Sequence, residues 1–463
     1  DCSIDTLPRL SIADDNELAN ALHNKEPSLL HLDTRHTGAF KPLLAQLETP
    51  SLTLVALPLH NRQNQAIGSL CLLYRDSGNN LDRGEHAQQI AFIKALSGFA
   101  AVTLESRQLL MMQEALLNAF IKLIAGAIDA KSPYTGGHCQ RVPELTRMLA
   151  EAASDSNDPP FRDFKLEDEQ WDALDIASWL HDCGKVTTPE YVVDKATKLE
   201  TIYDRIHEVR LRFEILKRDA EIRYRKQRLA GGDRTVLRKT LEDEWRQLDE
   251  DFAFIAECNV GGEFMAADKV ERLQQIAERR WTRTLDDRIG ISWEERQRKA
   301  RTEAPALPVA ERLLDDKPEH LIERTDAERM PEDNPWGFRL DVPEYQYNRG
   351  ELYNLEVTRG TLSPEERFKI NDHVVQTIIM LNKLPYPRHL RQVPEIAGGH
   401  HETMDGRGYP KRLTRDETSL PARMMAIADI FEALTASDRP YKKAKSLSEA
   451  IRILSFMKND DHI

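Results

Sequence analysis

Five short stretches of this 463-residue chain carry histidine or aspartate in settings that call for a partner. They are TGGHCQRV with His138, SWLHDCGK with His181 and Asp182, FKINDHVV with His373, GGHHE with His400 and His401, and AIADIFEAL with Asp429. One histidine on a helix is ordinarily a surface residue or a satisfied core residue, so no single stretch decides anything. Two contexts are harder to dismiss. DALDIASWLHD places His181 and Asp182 at the end of a buried-looking helix, and MMAIADIFEAL interrupts an apolar helix with Asp429. A buried carboxylate without a donor or cation costs on the order of several kcal/mol. Five imidazoles and two carboxylates converging in one helical core are best satisfied by metal ions.

Ligand type narrows the metal. Imidazole and carboxylate without thiolate suit Fe, Mn, Co, Ni or Zn, and Asp182 beside His181 can bridge two ions. Two-metal sites generate a nucleophile from water at neutral pH and clamp a phosphoryl group for in-line attack, so phosphoester hydrolysis is the expected chemistry. Lys185, a turn beyond His181, can neutralise charge on a phosphate oxygen, although a cation at a helix C-terminus is also favoured by the helix dipole alone. The adjacent pair His400 and His401 can reach one cavity if the backbone bends there, and Gly398 and Gly399 are expected to permit that bend.

The elements that must position these groups follow from pattern. Residues 51–59 (SLTLVALPL) and 66–76 (AIGSLCLLYRD) read as an antiparallel hairpin in an α+β module. Helical periodicity then runs from about 84 to 130. Leu109, Met112, Leu116, Ala119 and Leu123 form a short seam that suits either a core-facing helix or a dimeric coiled coil. From 130 onward the pattern is almost all helical. Residues 207–359 change character, with charged helices that suit a hairpin and Pro-rich polar segments, and read as an insertion into a helical domain.

Net charge is −13 with 40% hydrophobic and 30% charged residues, which gives enough apolar material for two or three cores and argues against broad nucleic-acid or anionic-membrane binding. Cysteines 2, 71, 139, 183 and 258 form no CxxC pair, as expected of reduced thiols in a cytoplasmic protein. The apolar runs SLTLVALPL and AIGSLCLLY are too short to span a membrane, so no membrane segment is expected. The chain begins at Asp1 and ends at NDDHI, the expectation being an excerpt incomplete at its N-terminus.

The run His181-Asp182-Cys183-Gly184-Lys185, then HHExxDGxGYP at 400–410, then ADxxxAL and DRPYK at 428–442, resembles the HD-GYP domain of the HD phosphohydrolase superfamily. The resemblance covers roughly residues 110–205 and 360–463. It implies hydrolysis of the bacterial second messenger cyclic di-GMP to pGpG and/or GMP with divalent metals, frequently iron or manganese. His138, His181, Asp182, His373, His400, His401 and Asp429 fall on metal-ligand positions. Asp182 and Lys185 fall on the catalytic positions. Lys185, Tyr409, Arg439 and Lys442 fall on positions near the substrate, and the GYP loop implies a GGDEF-type cyclase partner.

The sequence departs from that pattern in places. The insertion leaves two candidates for the middle histidine, His207 and His373, and the segment preceding His373 and its distance to His400 favour His373. Where members with three metals carry a glutamate ligand, this chain has Tyr134, so two metals are expected. The chain also ends soon after SEAIRIL, where the family continues. The first hundred residues resemble the later half of a GAF domain, which implies a sensor with an unidentified ligand. The expected architecture is therefore multidomain: a GAF-like α+β domain over 1–105, an all-α HD-GYP bundle over 106–206 and 360–463, and a charged helical insertion over 207–359. A cytoplasmic, homodimeric cyclic di-GMP phosphodiesterase is the leading reading. A phosphohydrolase of another nucleotide, or a silent adaptor binding messenger or cyclase through Asp405, Gly408, Tyr409 and Pro410, are the alternatives.

Overall fold

A computed structural model of the chain describes residues 22, 27–33, 44–45, 47–75, 83–131, 137–331, 333–436 and 444–463. Two compact units result, Asp1–Phe120 and Ile121–Ile463. Arg439, Lys442 and Tyr134 lie outside the described residues.

The first unit holds an antiparallel sheet of order β1-β2-β3, with β1 at Ser28–Asp33, β2 at Ser51–His60 and β3 at Ala66–Arg75. The expected hairpin is β2-β3, in register through Leu54↔Leu73 and Ala56↔Cys71. Its turn is closed by the Asn61 side chain, which accepts from the Gln65 amide at 2.8 Å. β2 lies between the other two strands and is buried on both faces from Leu52 to Leu57, which is why its sequence is a continuous apolar run rather than an alternation.

Helix α1 spans Arg83–Asp129. The seam read from Leu109 to Leu123 does not face a core: Leu109, Met112, Leu116 and Leu123 are all exposed. The residues of this helix that enter the core of the second unit are Ile121, Ala125 and Ile128. Among the described residues, Ala91–Asp129 is long and apolar enough by length and composition to cross a membrane. The expectation of no membrane segment rests on the strand-like runs and does not consider this helix. Charged residues such as Glu105, Arg107 and Glu114 break the run into pieces that look short when read one at a time.

In the second unit, α2 (His138–Asp155), α3 (Asp168–Leu180), α7 (Pro364–Asn382), α8 (Val393–Gly398) and α9 (Leu420–Thr435) gather at one core, with α10 (Leu447–Asn459) against α9. Ala150, Ala177, Val393, Ala397, Met425 and Ala428 fill it. Local signals start these helices where the site needs them. Ser363 caps α7 and Glu366 returns the bond, a capping box with Pro364 at the first position. Ser419 caps α9, and Glu167 with Gln170 boxes α3.

Residues 207–359 are not helical throughout. α4 (Ile206–Leu229) and α5 (Arg234–Val260) form the expected hairpin, and α6 (Ala267–Ala277) follows. Two small antiparallel pairs come after them: β4 (Arg280–Arg283) with β5 (Val309–Arg312), and β6 (Leu321–Glu323) with β7 (Tyr345–Asn348). Such short strands contain too few residues to show a two-residue period. Leu248, Ile255, Leu273, Leu313 and Leu355 give this stretch its own core. An ion pair holds it, with Arg212 gripping Glu351 by two bonds at 2.7 and 2.8 Å, and at its flanks Lys195 meets Glu366 at 2.7 Å.

One group here is expected to make the stretch acid-sensitive. Burial pushes the His320 imidazole down to about 4, and its Nδ1 accepts from the Lys317 amide at 3.1 Å, so the fold uses the neutral ring. The unfolded chain binds that proton near pH ~6.5. The contribution is therefore complete above that pH and is lost as pH falls towards the folded value, by on the order of 3 kcal/mol. Urea unfolding between pH 7 and pH 4 should show this slope, and His320→Gln, which retains an acceptor, should flatten it. An unchanged slope in the variant would assign the acid sensitivity elsewhere.

Candidate metal centre

His181 caps the C-terminal end of α3, and the chain turns at Asp182 into a tight helical turn over Cys183–Thr187. That turn lies against α7. A β-carbon on Gly184 would stand 1.9 Å from the His373 carbonyl oxygen, so only glycine fits between the two segments. Thr377 locks the contact, accepting from the Gly184 amide at 2.9 Å and donating to the His181 carbonyl at 3.1 Å. Lys131 caps the same turn by donating to the Lys185, Val186 and Thr188 carbonyls at 2.5–2.9 Å.

The structure brings His138, His181, Asp182, His373, His400, His401 and Asp429 together. Asp182 is central. Its Oδ2 lies 3.2 Å from His138 Nε2 and 3.4 Å from His181 Nε2, while its Oδ1 lies 3.2 Å from His373 Nε2 and 4.0 Å from His400 Nε2. Asp429 approaches from α9, with Oδ1 3.2 Å from His138 Nε2 and 3.9 Å from His181 Nε2. Two trios could each hold an ion: His138, His181 and Asp182, and His373, His400 and His401, with the ligand atoms within each trio no more than 4.8 Å apart.

A shared device orients three of the rings. His181 Nδ1 bonds the Ser178 carbonyl at 2.8 Å, His373 Nδ1 the Ile370 carbonyl at 2.5 Å, and His400 Nδ1 the Ala397 carbonyl at 2.5 Å. In each case the carbonyl three residues back takes the Nδ1 proton and leaves a lone pair on Nε2. The Nε2 atoms of His181, His373 and His400 and Oδ1 of Asp182 are buried without a hydrogen-bond partner. Orphaned acceptors in a dry core are what a cation would satisfy, so the residues present fit a metal pair.

Electrostatics agree. Burial, reinforced by the neighbouring His373 ring, pushes His401 down to about 3, and burial with its histidine neighbours likewise lowers His400. Both rings are thus neutral and able to donate a lone pair. Burial opposes charge on His138 too, but bonds to Asp182, Asp429 and Glu432 outweigh it and raise the ring to about 11. That proton sits where carboxylates wait for positive charge. Asp182 and Asp429 are held well below the carboxylate range despite burial, Asp182 chiefly by Lys185 and His181, Asp429 chiefly by its bond with His138. Lys185 Nζ lies 2.5 Å from Asp182 Oδ2 and keeps some exposure, facing both the cluster and solvent.

His207 is elsewhere, on the surface of α4 with Nδ1 beside Arg210, so of the two candidates His373 is the one at the cluster. The glycines before the histidine pair act differently from expectation. Gly399 has an ordinary helical backbone at φ −91°. Packing explains both residues: a β-carbon on Gly398 would meet Ile378 at 2.4 Å, and one on Gly399 would meet Ala422 at 2.9 Å. The helix ends where α7 and α9 approach most closely, and the two imidazole rings leave its end with centroids 4.2 Å apart.

Sequence reasoning missed two carboxylates. Glu432, buried one turn beyond Asp429, meets His138 Nδ1 at 2.5 Å and is itself held by Arg141. Glu402 accepts from the Lys411 and Leu413 amides at 2.7 and 2.9 Å and so folds the 403–413 loop back on itself. Gly408 completes that fold, because a β-carbon there would collide with the Thr403 amide at 2.3 Å. The loop delivers Tyr409, whose ring stacks on His401 at 4.8 Å and 21°. Spacing of three from Asp429 puts Glu432 on the same helix face, but without the His138 contact that spacing carries no signal by itself. Glu432→Gln is expected to weaken metal binding by about 10–100-fold with the fold retained, measured by competition with a chromogenic chelator. Wild-type affinity would make Glu432 a packing residue only.

Residues 308–463 match the HD domain family. A 3'3'-cGAMP-specific phosphodiesterase of Vibrio cholerae is 50% identical over 62 residues, 13% of this chain and 14% of that protein. A cyclic di-GMP phosphodiesterase of Pseudomonas aeruginosa is 50% identical over 60 residues, again 13% and 14%. A cyclic di-GMP phosphodiesterase of Thermotoga maritima is 40% identical over 93 residues, 20% of this chain and 25% of that protein. The aligned part of the chain spans a quarter or less of the length of these relatives. Residues 308–463, which carry His373, His400, His401 and Asp429, are thus similar to HD domains, and part of the chain is similar to phosphodiesterases of cyclic dinucleotides.

Proposed function

We propose that this chain is a metal-dependent phosphodiesterase that opens cyclic di-GMP to pGpG and/or GMP. The observation that carries the reading is Asp182, whose two oxygens each face a separate group of imidazoles while Lys185 bonds it from the solvent side. His138, His181 and Asp182 would hold one ion, His373, His400 and His401 the other, with Asp182 shared and Asp429 beside the first. A bound pair of divalent ions supplies Lewis acidity and acidifies water at neutral pH. Everything else is the protein's work. The backbone carbonyls and Glu432 fix ring orientation, the apolar core around the cluster excludes bulk water, and Lys185 places a cation where phosphate charge accumulates. Iron or manganese suits the ligand set, with nickel, cobalt and zinc as alternatives.

Further parts of the reading concern control. The α+β unit would act as a GAF-like sensor with a small-molecule ligand, and the exposed seam Leu109, Met112, Leu116 and Leu123 would pair with a second copy to make a homodimer in the cytoplasm. Tyr409, Arg439 and Lys442 would contact substrate, and the loop bearing Tyr409 would meet a cyclase partner. The cGAMP-specific relative favours a second substrate, 3'3'-cGAMP, as the other reading. Chromatography of products after incubation with each cyclic dinucleotide tests both. Linear dinucleotide or mononucleotide from cyclic di-GMP supports the first, product from 3'3'-cGAMP alone supports the second, and intact substrate in both, with metal bound, overturns the phosphodiesterase.

A further inference from the structure

A cleft in the second unit lies beside the metal centre. It has a volume of about 950 Å³ and lies between the 207–359 stretch, the first turns of α7 and the 403–413 loop. Four arginines line it, Arg359 and Arg367 on one side and Arg407 and Arg412 on the other. Two carboxylates are also present, and both have partners: Asp341 pairs with Arg412 at 2.6 Å, and Glu356 accepts from Gln274 at 2.8 Å. Arg367 uses one nitrogen on the Arg359 carbonyl at 3.3 Å, and Arg407 stands 3.6 Å from Asp405. Guanidinium therefore exceeds carboxylate in the cleft. Between the arginines the wall is apolar, with Val342, Val357, Leu362 and Tyr353.

The walls are tied together. The Arg339 amide donates to the Pro410 carbonyl at 2.8 Å, so the 207–359 stretch grips the loop that carries Tyr409. A concave cavity of this size is in the range of small-molecule sites. Planar guanidinium forks bind phosphate oxygens in pairs, and an apolar wall between them accepts a base and sugar. An extended acidic peptide would have no use for that apolar pocket.

From these features we propose that the cleft is a nucleotide site, with the phosphate on Arg359 and Arg367 and the nucleoside against the Val342, Val357 and Tyr353 wall. It goes beyond the hydrolytic reading and stands without it, since a chain that turns over no cyclic dinucleotide can still bind here. The site is distinct from the cluster in its ligating groups but shares Tyr409 with it.

Calorimetric titration of the full metal-loaded chain with GMP, and separately with guanosine, tests this. GMP should bind with affinity falling as salt rises, and guanosine should not. Arg359→Glu with Arg367→Glu, both exposed positions, should weaken GMP by about tenfold or more with metal content unchanged. The paired Lys substitutions keep the charge but lose the fork, and should fall between. GMP affinity that is indifferent to these changes but lost in Asp182→Ala would place binding at the metal cluster and overturn the proposal. Absence of GMP binding, or arginine-dependent capture of an acidic peptide in place of GMP, would overturn it as well.

Discussion

Replacing His181 and Asp182 by Ala is expected to remove metal and cyclic dinucleotide hydrolysis together, with turnover lower by on the order of 10⁴-fold or more. Asp182 is the only side chain in the cluster whose two oxygens face both groups of imidazoles, so its loss separates the two halves rather than weakening one. Removing the charge also leaves His138 without a main acceptor for Nε2. The fold should survive, because Thr377 still holds the His181 carbonyl and Gly184 amide, which are backbone atoms. Metal analysis, circular dichroism and product chromatography on one preparation check all three points. Persistent turnover in the doubly substituted chain would show that the chemistry occurs elsewhere.

Lys185→Ala should separate binding from chemistry. Its Nζ bonds Asp182 but supplies no lone pair while protonated, and the paired carboxylates Asp182 and Asp429 raise its pKa against the effect of burial. Metal content should therefore stay near wild type, while kcat falls by on the order of 10²–10³-fold with a smaller change in KM. Single-turnover rates alongside metal analysis distinguish the outcomes. Metal loss in this variant would make Lys185 a structural counter-ion for Asp182, and full activity would remove it from the chemistry.

The side chains of the cluster were legible in the sequence because their types conflict with their surroundings. Aspartate in MMAIADIFEAL and a His-Asp pair ending DALDIASWLHD cannot stay buried without partners. The choice of His373 over His207 rested on the segment before it, and the structure places His373 at the cluster and His207 on an exposed helix face. Glu432 was not legible, since glutamate near a helix C-terminus reads as solvated until His138 is known to arrive from a segment 294 residues away. Lys131 escaped for the same reason, as its carbonyl partners lie 54 to 57 residues further along.

Pattern also misled. Gly398 and Gly399 suggested a bend, but what they provide is missing volume beneath Ile378 and Ala422, a property of neighbours that no local rule contains. The Leu109–Leu123 seam suited either a core-facing stripe or a dimer contact; its residues are exposed, and those that enter the core are Ile121, Ala125 and Ile128. Within 207–359, charge and helical spacing predicted the α4–α5 hairpin but hid the paired strands β4–β5 and β6–β7.

Metal content per chain, measured on protein purified anaerobically without added metal and compared with Asp182→Ala, tests the central claim most directly. About two divalent ions per wild-type chain, falling towards none in the variant, is the expected result. A wild-type chain that remains metal-free after incubation with iron and manganese, or a variant that binds as much as wild type, would contradict it.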